Sequence, residues 1–192
     1  MISIRSLFPR AAVLTCTLTC ALSGTAQSQR LIAWTDSSYP TVAVPFAVTD
    51  VAVGDRHALA LRADGTLYSW GSDAWGAVGL TPAGTYIAVA AGEKFSAAIR
   101  TDGTIVAWGD DSWGEVSGTP SGTFTAIAAG WSHGLAIRTD GTLVTWGRPD
   151  NGLVNVPSGT FTAIAGGQYH SLALRSDGEL FAWGWNGYGN VS

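Results

Sequence analysis

The sequence is poor in charged residues and nearly lacks cysteine. Only 12% of the 192 residues are charged, against about 25% in an average globular protein. The two cysteines, Cys16 and Cys20, both lie in the first 26 residues. The rest of the chain therefore has no thiol for a disulfide bond, a nucleophile or a metal site. The net charge of −4 also argues against the basic surface that nucleic-acid binding requires.

The first 26 residues have the layout of a secretory signal peptide. Arg5 and Arg10 give a positive start, an apolar stretch covers 11–22, and the small residues 24–26 form a cleavage site. The apolar stretch is shorter than the roughly 20 residues of a membrane span. We therefore expect a secreted, periplasmic or cell-envelope protein of a bacterium, with no membrane span after leader cleavage. An uncleaved N-terminal anchor is the alternative.

Glycine and tryptophan, by contrast, are abundant and recur with a period of 36 to 38 residues. Each period has a glycine, an Asp-Gly pair and a Trp-Gly pair. The markers are Gly54, Gly92, Gly130 and Gly167; Asp64, Asp102, Asp140 and Asp177; and Trp34, Trp70, Trp108, Trp146 and Trp183. This pattern predicts a repeat domain over 27–192, with units at about 51–87, 88–125, 126–162 and 163–192 and a partial unit at 31–50.

The sequence pattern within each unit predicts three short strands. In one unit, apolar runs cover 126–129, 134–138 and 143–146, and an Asp-Gly pair between the last two favours a hairpin turn. The runs are apolar on both faces, so each small sheet must be buried between two others. We predict an all-β fold, a β-propeller of about four to five short-repeat blades. A linear β-solenoid is the alternative, although its repeats are usually shorter and lack such hairpins.

The order of residues within a unit is specific. Residues 167–184 read Gly-x-x-His-Ser-Leu-Ala-Leu-Arg-x-Asp-Gly-x-Leu-x-x-Trp-Gly, and 54–71 follow the same order. These units resemble regulator-of-chromosome-condensation repeats, and their short period is similar to that of the secreted bacterial members. The resemblance implies a seven-bladed ring that binds protein partners. The guanine-nucleotide exchange known in eukaryotic members is not expected for an acidic chain with an export signal.

The chain has four full units, fewer than the seven that the resemblance implies. It would then form an incomplete part of a seven-bladed ring. A truncated gene product, an open arc and a ring completed by a second chain are the three explanations, and we rank truncation first.

The polar residues repeat from unit to unit instead of converging on one place. His57, His133 and His170 occupy equivalent positions, and Phe95 takes that position in the second unit. We interpret these histidines as packing residues, the Asp-Gly aspartates as turn formers, and the acidic loop around Asp110 as solvated. No catalytic constellation or metal motif is present, so we expect a protein that is not an enzyme and that uses no cofactor and no metal.

Aromatic residues in the variable loops are the best candidates for partner binding. Because strands alternate in direction, the loop after the first strand and the loop after the third strand must share one face. The candidates on that face are Trp75, Trp113, Trp131, Tyr169, Trp185 and Tyr188, with Tyr39 at a position equivalent to Tyr188. Exposed tryptophan and tyrosine anchor many protein interfaces. We therefore expect a protein–protein interaction module; carbohydrate binding and a structural segment of a larger surface protein are the alternatives.

Overall fold

The computed structural model describes residues 2–3, 15–18, 33–34, 46–187, 189 and 191, with side chains from residue 46 onward. The chain divides into two compact units, Met1–Thr49 and Asp50–Ser192. In the first unit, three short strands pair in the order β1-β2-β3: β1 (Ile2–Ser3), β2 (Thr15–Leu18) and β3 (Ala33–Trp34). The expected cleavage site at 24–26 lies outside the described residues. Among the described residues, no helix is long and apolar enough to cross a membrane.

The rest of the described chain forms four sheets of three antiparallel strands, and each sheet is one propeller blade. The strands of each sheet follow one another in the sequence. Blade 1 contains β4 (Val48–Val53), β5 (His57–Arg62) and β6 (Leu67–Gly71); blade 2 contains β7 (Tyr86–Ala91), β8 (Phe95–Arg100) and β9 (Ile105–Gly109); blade 3 contains β10 (Phe124–Ala129), β11 (His133–Arg138) and β12 (Leu143–Gly147); and blade 4 contains β13 (Phe161–Gly166), β14 (His170–Arg175) and β15 (Leu180–Gly184). The predicted all-β propeller is confirmed.

The first strand of each blade is longer than the sequence predicts. In blade 3 the strand begins at Phe124, and the register shifts between Phe124 and Ala126 because of a β-bulge. The same shift occurs in blades 2 and 4. The Phe124 N–H donates to Gly103 O in the turn of the preceding blade, at 2.9 Å. The strand therefore starts where it reaches the neighbouring blade, and hydropathy alone does not reveal that point.

The apolar cores lie between blades, as expected for sheets that are apolar on both faces. Between blades 1 and 2, Leu59 and Leu61 pack with Val89 and Trp108. The next two junctions repeat this arrangement. Their buried residues are Phe95, Ala97, Ile99, Phe124, Ala136 and Trp146, and then Leu135, Ile137, Leu143, Phe161 and Ala173. Each fully buried leucine or isoleucine contributes about 1.5–3 kcal/mol, so stability comes from junctions and not from isolated blades.

The outer side of blade 4 differs from this pattern. Leu174 and Leu180 occupy the positions of Leu61 and Leu67 in blade 1, which pack against blade 2. Leu174 and Leu180 are instead exposed, because no described blade follows blade 4. The expected burial on both faces therefore holds for the junctions between the four blades but not for this side.

Candidate functional site

The variable loops of each blade are joined on one face, which we call the loop face. It consists of residues 54–56, 92–94, 130–132 and 167–169, together with the loops at 72–80, 110–118, 148–156 and 185–187. In every blade a backbone hydrogen bond links the two kinds of loop. The four donor–acceptor pairs are Ser72 N to Arg56 O, Asp110 N to Lys94 O, Arg148 N to Ser132 O and Trp185 N to Tyr169 O.

Two of the repeat histidines, His57 and His133, join neighbouring blades next to this face. His57 Nε2 lies 2.8 Å from Ser96 Oγ of blade 2, and His133 Nε2 lies 2.8 Å from Ser171 Oγ of blade 4. His57 and His133 are both buried. Among the described residues, no group of histidine, cysteine, aspartate or glutamate side chains could hold a metal ion. His57 and His133 thus each contact a serine of the following blade.

The junction between blades 2 and 3 uses a different pair of residues. Phe95 replaces histidine, and Gly134 stands where the serine hydroxyl would be. Both Phe95 and Trp146 belong to the apolar cluster of this junction. A Cβ atom on Gly134 would overlap the Trp146 ring. The two substitutions therefore occur together: phenylalanine replaces histidine at position 95, and glycine replaces its serine partner at position 134.

Three of the repeat tryptophans have a structural role. The indole N–H of Trp108 donates to Ala77 O at 2.9 Å, that of Trp146 to Glu115 O at 2.8 Å, and that of Trp183 to Leu153 O at 3.0 Å. Each acceptor lies in the loop that follows the preceding blade. These tryptophans tie a loop to the next blade and are not available to a partner.

Most of the predicted partner-binding residues come together, and we call them the aromatic cluster: Trp113, Trp131, Tyr169 and Trp185. Trp131 of blade 3 stacks on Tyr169 of blade 4, with ring centroids 5.6 Å apart and an angle of 9° between the planes. Trp185 meets Tyr169 edge to face, at 6.1 Å. Trp113 is joined to them through Arg148, whose guanidinium lies 4.7 Å from the Trp113 ring and 5.8 Å from the Tyr169 ring.

The remaining candidates lie apart or outside the described residues. Trp75 is half-buried, and Lys94 Nζ lies 4.9 Å from its ring centroid. Tyr39 and Tyr188 fall outside the described residues. The sequence analysis missed the two cations, Lys94 and Arg148. Lys94 occupies the position equivalent to Tyr169, and Arg148 the position equivalent to Trp185. A basic residue in place of an aromatic one at these loop positions was the sequence signal that could have identified them.

Aspartate side chains in the loops after the third strands stabilise these loops by accepting backbone hydrogen bonds. Asp111 Oδ1 accepts hydrogen bonds from the N–H groups of Val116 and Ser117, and Asp73 Oδ1 does the same for Val78 and Gly79. The backbone N–H groups also hold the pKa of Asp111 below its usual value.

Glu115 belongs to the acidic loop that we interpreted as solvated, but it is only 2% exposed, and it accepts from Trp113 N at 2.8 Å. Burial raises the pKa of Glu115, and the negative charges of Asp110 and Asp111 add to this effect. A carboxylate buried in this way supports the loop that carries Trp113.

The opposite face contains the Asp-Gly turns. Asp140 Oδ1 accepts from the N–H of Thr142 at 2.9 Å and also from its hydroxyl. These bonds lower the pKa of Asp140. The arginine before each turn lies over an aromatic ring; Arg138, for example, is 5.2 Å from the Phe124 ring. Asp-Gly pairs and arginines thus stabilise turns, as their repeated positions predict.

Comparison with known proteins identifies the family. The model of the regulator of chromosome condensation (RCC1) repeat matches residues 48–74, 86–114, 124–153 and 161–190. The chain belongs to this family. Each matched segment covers the three strands of one of the four RCC1 blades described above and at least the start of the loop after the third strand. No curated protein matches the full sequence.

Solved structures resemble the RCC1 fold of this chain. The ectodomain of the receptor kinase ACR4 from Arabidopsis thaliana aligns with a TM-score of 0.78 and 19% identity, covering 93% of this chain and 64% of that one. The ectodomain of the Physcomitrella patens receptor kinase CR4 aligns with a TM-score of 0.73 and 24% identity, over 92% and 51%. Prp20p from Saccharomyces cerevisiae gives 0.67 and 20%, over 92% and 54%. The chain thus spans about half to two thirds of these relatives.

Proposed function

We propose that this RCC1-repeat protein is an exported binding module that contacts a partner protein through the aromatic cluster. The observation that carries the proposal is the arrangement of Trp113, Trp131, Tyr169 and Trp185 across three blades of one face. Rigid aromatic side chains next to an arginine are typical of the residues that dominate the energy of protein interfaces.

The indole N–H groups support this proposal. Those of Trp108, Trp146 and Trp183 donate to backbone carbonyls within the protein. The indole N–H groups of Trp113 and Trp131 have no acceptor among the described residues, and Trp113 is 46% exposed. These two donors are therefore available to carbonyl or carboxylate oxygens of a partner, while the rings supply apolar area.

The ring geometry favours a protein partner over a carbohydrate. Trp131 and Tyr169 cover each other, and Arg148 lies against one face of Trp113. A sugar that stacks on an aromatic residue needs a flat open face. The likeness to Prp20p, a protein with binding properties toward Gsp1p and histones, agrees with a protein partner at the level of the fold only. The leader expected at 1–26 is the support for export, and a mature protein whose N-terminal residue is Gln27 would agree with it.

Quantitative capture from a cell-envelope extract tests the proposed surface. The native chain, Trp131→Ala and Trp113→Ala are compared with Leu80→Ala, which truncates an exposed apolar residue outside the aromatic cluster. Proteins retained by the native chain are then purified and their Kd values measured. Hot-spot residues lose about 2 kcal/mol or more on truncation, roughly a 30-fold weaker Kd. Unchanged Kd values for both tryptophan variants would exclude the aromatic cluster, and selective retention on a glycan array would favour the carbohydrate alternative.

A further inference from the structure

The stack of Trp131 on Tyr169 lies directly beside a buried histidine. Trp131 is two residues before His133 in blade 3, and Tyr169 is two residues before Ser171 in blade 4. His133 Nε2 and Ser171 Oγ are 2.8 Å apart, so the hydrogen bond and the stack join the same two blades. His133 is 0% exposed. The position of Trp131 relative to Tyr169 therefore depends on the junction that this hydrogen bond closes.

The surroundings of His133 suit only the neutral imidazole. Among the described residues, no protein group accepts a hydrogen bond from Nδ1. Gly130 covers that side of the ring, since a Cβ atom there would lie 2.6 Å from Nδ1. An imidazolium has two N–H donors, and this site satisfies only one of them. Burial, with a contribution from the positive charge of His170, lowers the pKa of His133 to about 4.

The charged groups near this junction would not stabilise a positive charge on His133. His170 faces His133 from blade 4 and opposes its protonation. Arg148 follows β12, whose last residue, Gly147, pairs with His133. Asp150 forms an ion pair with Arg148 at 2.8 Å, so its negative charge is already paired. The local balance therefore favours a neutral ring.

The other two junctions differ from this one. At the junction of blades 1 and 2, the backbone of Phe95 and the negative charge of Asp55 both favour protonated His57, although burial still lowers its pKa. At the junction of blades 2 and 3, Phe95 and Gly134 replace the histidine and serine and cannot titrate. At the junction that carries the aromatic stack, by contrast, no such group offsets the burial of His133.

We propose that His133 is an acid-sensitive positioning residue for the aromatic cluster. When its imidazole gains a proton from solvent, the ring leaves its buried site, the contact with Ser171 is lost, and Trp131 separates from Tyr169. Acidification thus reversibly disorganises the loop face. The inference rests on the proposed function only in identifying the aromatic cluster as the partner-binding surface.

The test follows the indole N–H signals of ¹⁵N-tryptophan-labelled full-length protein by NMR from pH 7.5 to 4.5. The Trp131→Phe variant assigns the Trp131 signal, and the Trp108 signal reports on the fold at the junction of blades 1 and 2. We expect the Trp131 signal to begin shifting below the ordinary histidine pKa of 6.5 and to have moved by pH 4.5, although the shift is complete only below the buried value of about 4. The Trp108 signal should change less over this range.

Two variants separate His133 from its neighbours. His133→Phe with Ser171→Gly copies the natural pair Phe95 and Gly134 and keeps His170; His133→Gln keeps a polar group within reach of Ser171 and serves if the first variant does not fold. Either variant should abolish the pH response of Trp131. An unchanged response in a folded variant, or a Trp131 signal in the native protein that does not respond to pH, would overturn the proposal. Because no partner is present, these outcomes leave the protein-binding proposal to its own test.

Discussion

At the scale of single residues, the tryptophans form two groups that differ in whether the indole N–H donates to a carbonyl within the protein. Trp146 is buried and donates to Glu115 O, whereas Trp113 lies on the loop face. The same residue type thus serves stability in one place and recognition in another. The distinction depends on whether the tryptophan belongs to a third strand or to a loop.

This division predicts different costs for the same substitution. Trp146→Phe removes the donor from a buried carbonyl and should lower the free energy of unfolding by about 1–3 kcal/mol. Trp113→Phe changes an exposed ring and should stay within about 0.5 kcal/mol of the native value. Urea unfolding followed by circular dichroism measures both. Equal losses for the two variants would contradict the structural role of Trp146.

At the scale of elements, the blades are alike in their strands and differ in how they join. Two of the three junctions contain a buried His–Ser hydrogen bond, and the middle one contains Phe95 and Gly134. In blade 2, Ser96 stands opposite Trp108 in the adjacent strand, just as Gly134 stands opposite Trp146 in blade 3. A serine can therefore occupy this position when the tryptophan ring is placed differently.

The junction of blades 2 and 3 should tolerate a histidine–serine pair better when Phe95 and Gly134 are replaced together than when either is replaced alone. Phe95→His alone buries an imidazole without a hydroxyl partner, and Gly134→Ser alone places a side chain against the Trp146 ring. Each single variant should lose about 1–3 kcal/mol of unfolding free energy. The double variant should lose less than the sum, with a coupling energy of about 0.5–3 kcal/mol. Strict additivity in this double-mutant cycle would show that the two positions are independent.

The strands and turns were predictable because their signals are local. An Asp-Gly pair between apolar runs favours a hairpin wherever it occurs, and the repeated Trp-Gly pairs mark the ends of third strands. The His–Ser bonds were not predictable, because His133 and Ser171 belong to different units and meet only once blades pack. The contacts of Arg148 were missed for the same reason, because Arg148 follows blade 3 whereas Trp113 follows blade 2 and Tyr169 belongs to blade 4.

At the scale of the whole molecule, buried histidines and exposed aspartates respond to acid over different ranges. His57 and His133 have pKa values lowered by burial. Between pH 6.5 and about 4 the unfolded chain therefore binds protons that the folded chain does not, and stability falls as pH falls. The aspartates of the Asp-Gly turns also have lowered pKa values. Their contribution is complete above the unfolded value and is lost only as pH falls further, through the folded value.

Stability should consequently decline in two stages, with the first due mainly to His133. Its pKa difference corresponds to an order-of-magnitude loss of about 3 kcal/mol between pH 7 and pH 4. Protonation of Glu93 and Glu115, whose pKa values are raised by burial, offsets part of this loss near its lower end. Urea midpoints at pH 7.5, 6, 5 and 4 measure the decline, and His133→Gln should flatten its first stage. A native midpoint that stays constant from pH 7.5 to 5 would mean that neither histidine is held neutral by the fold.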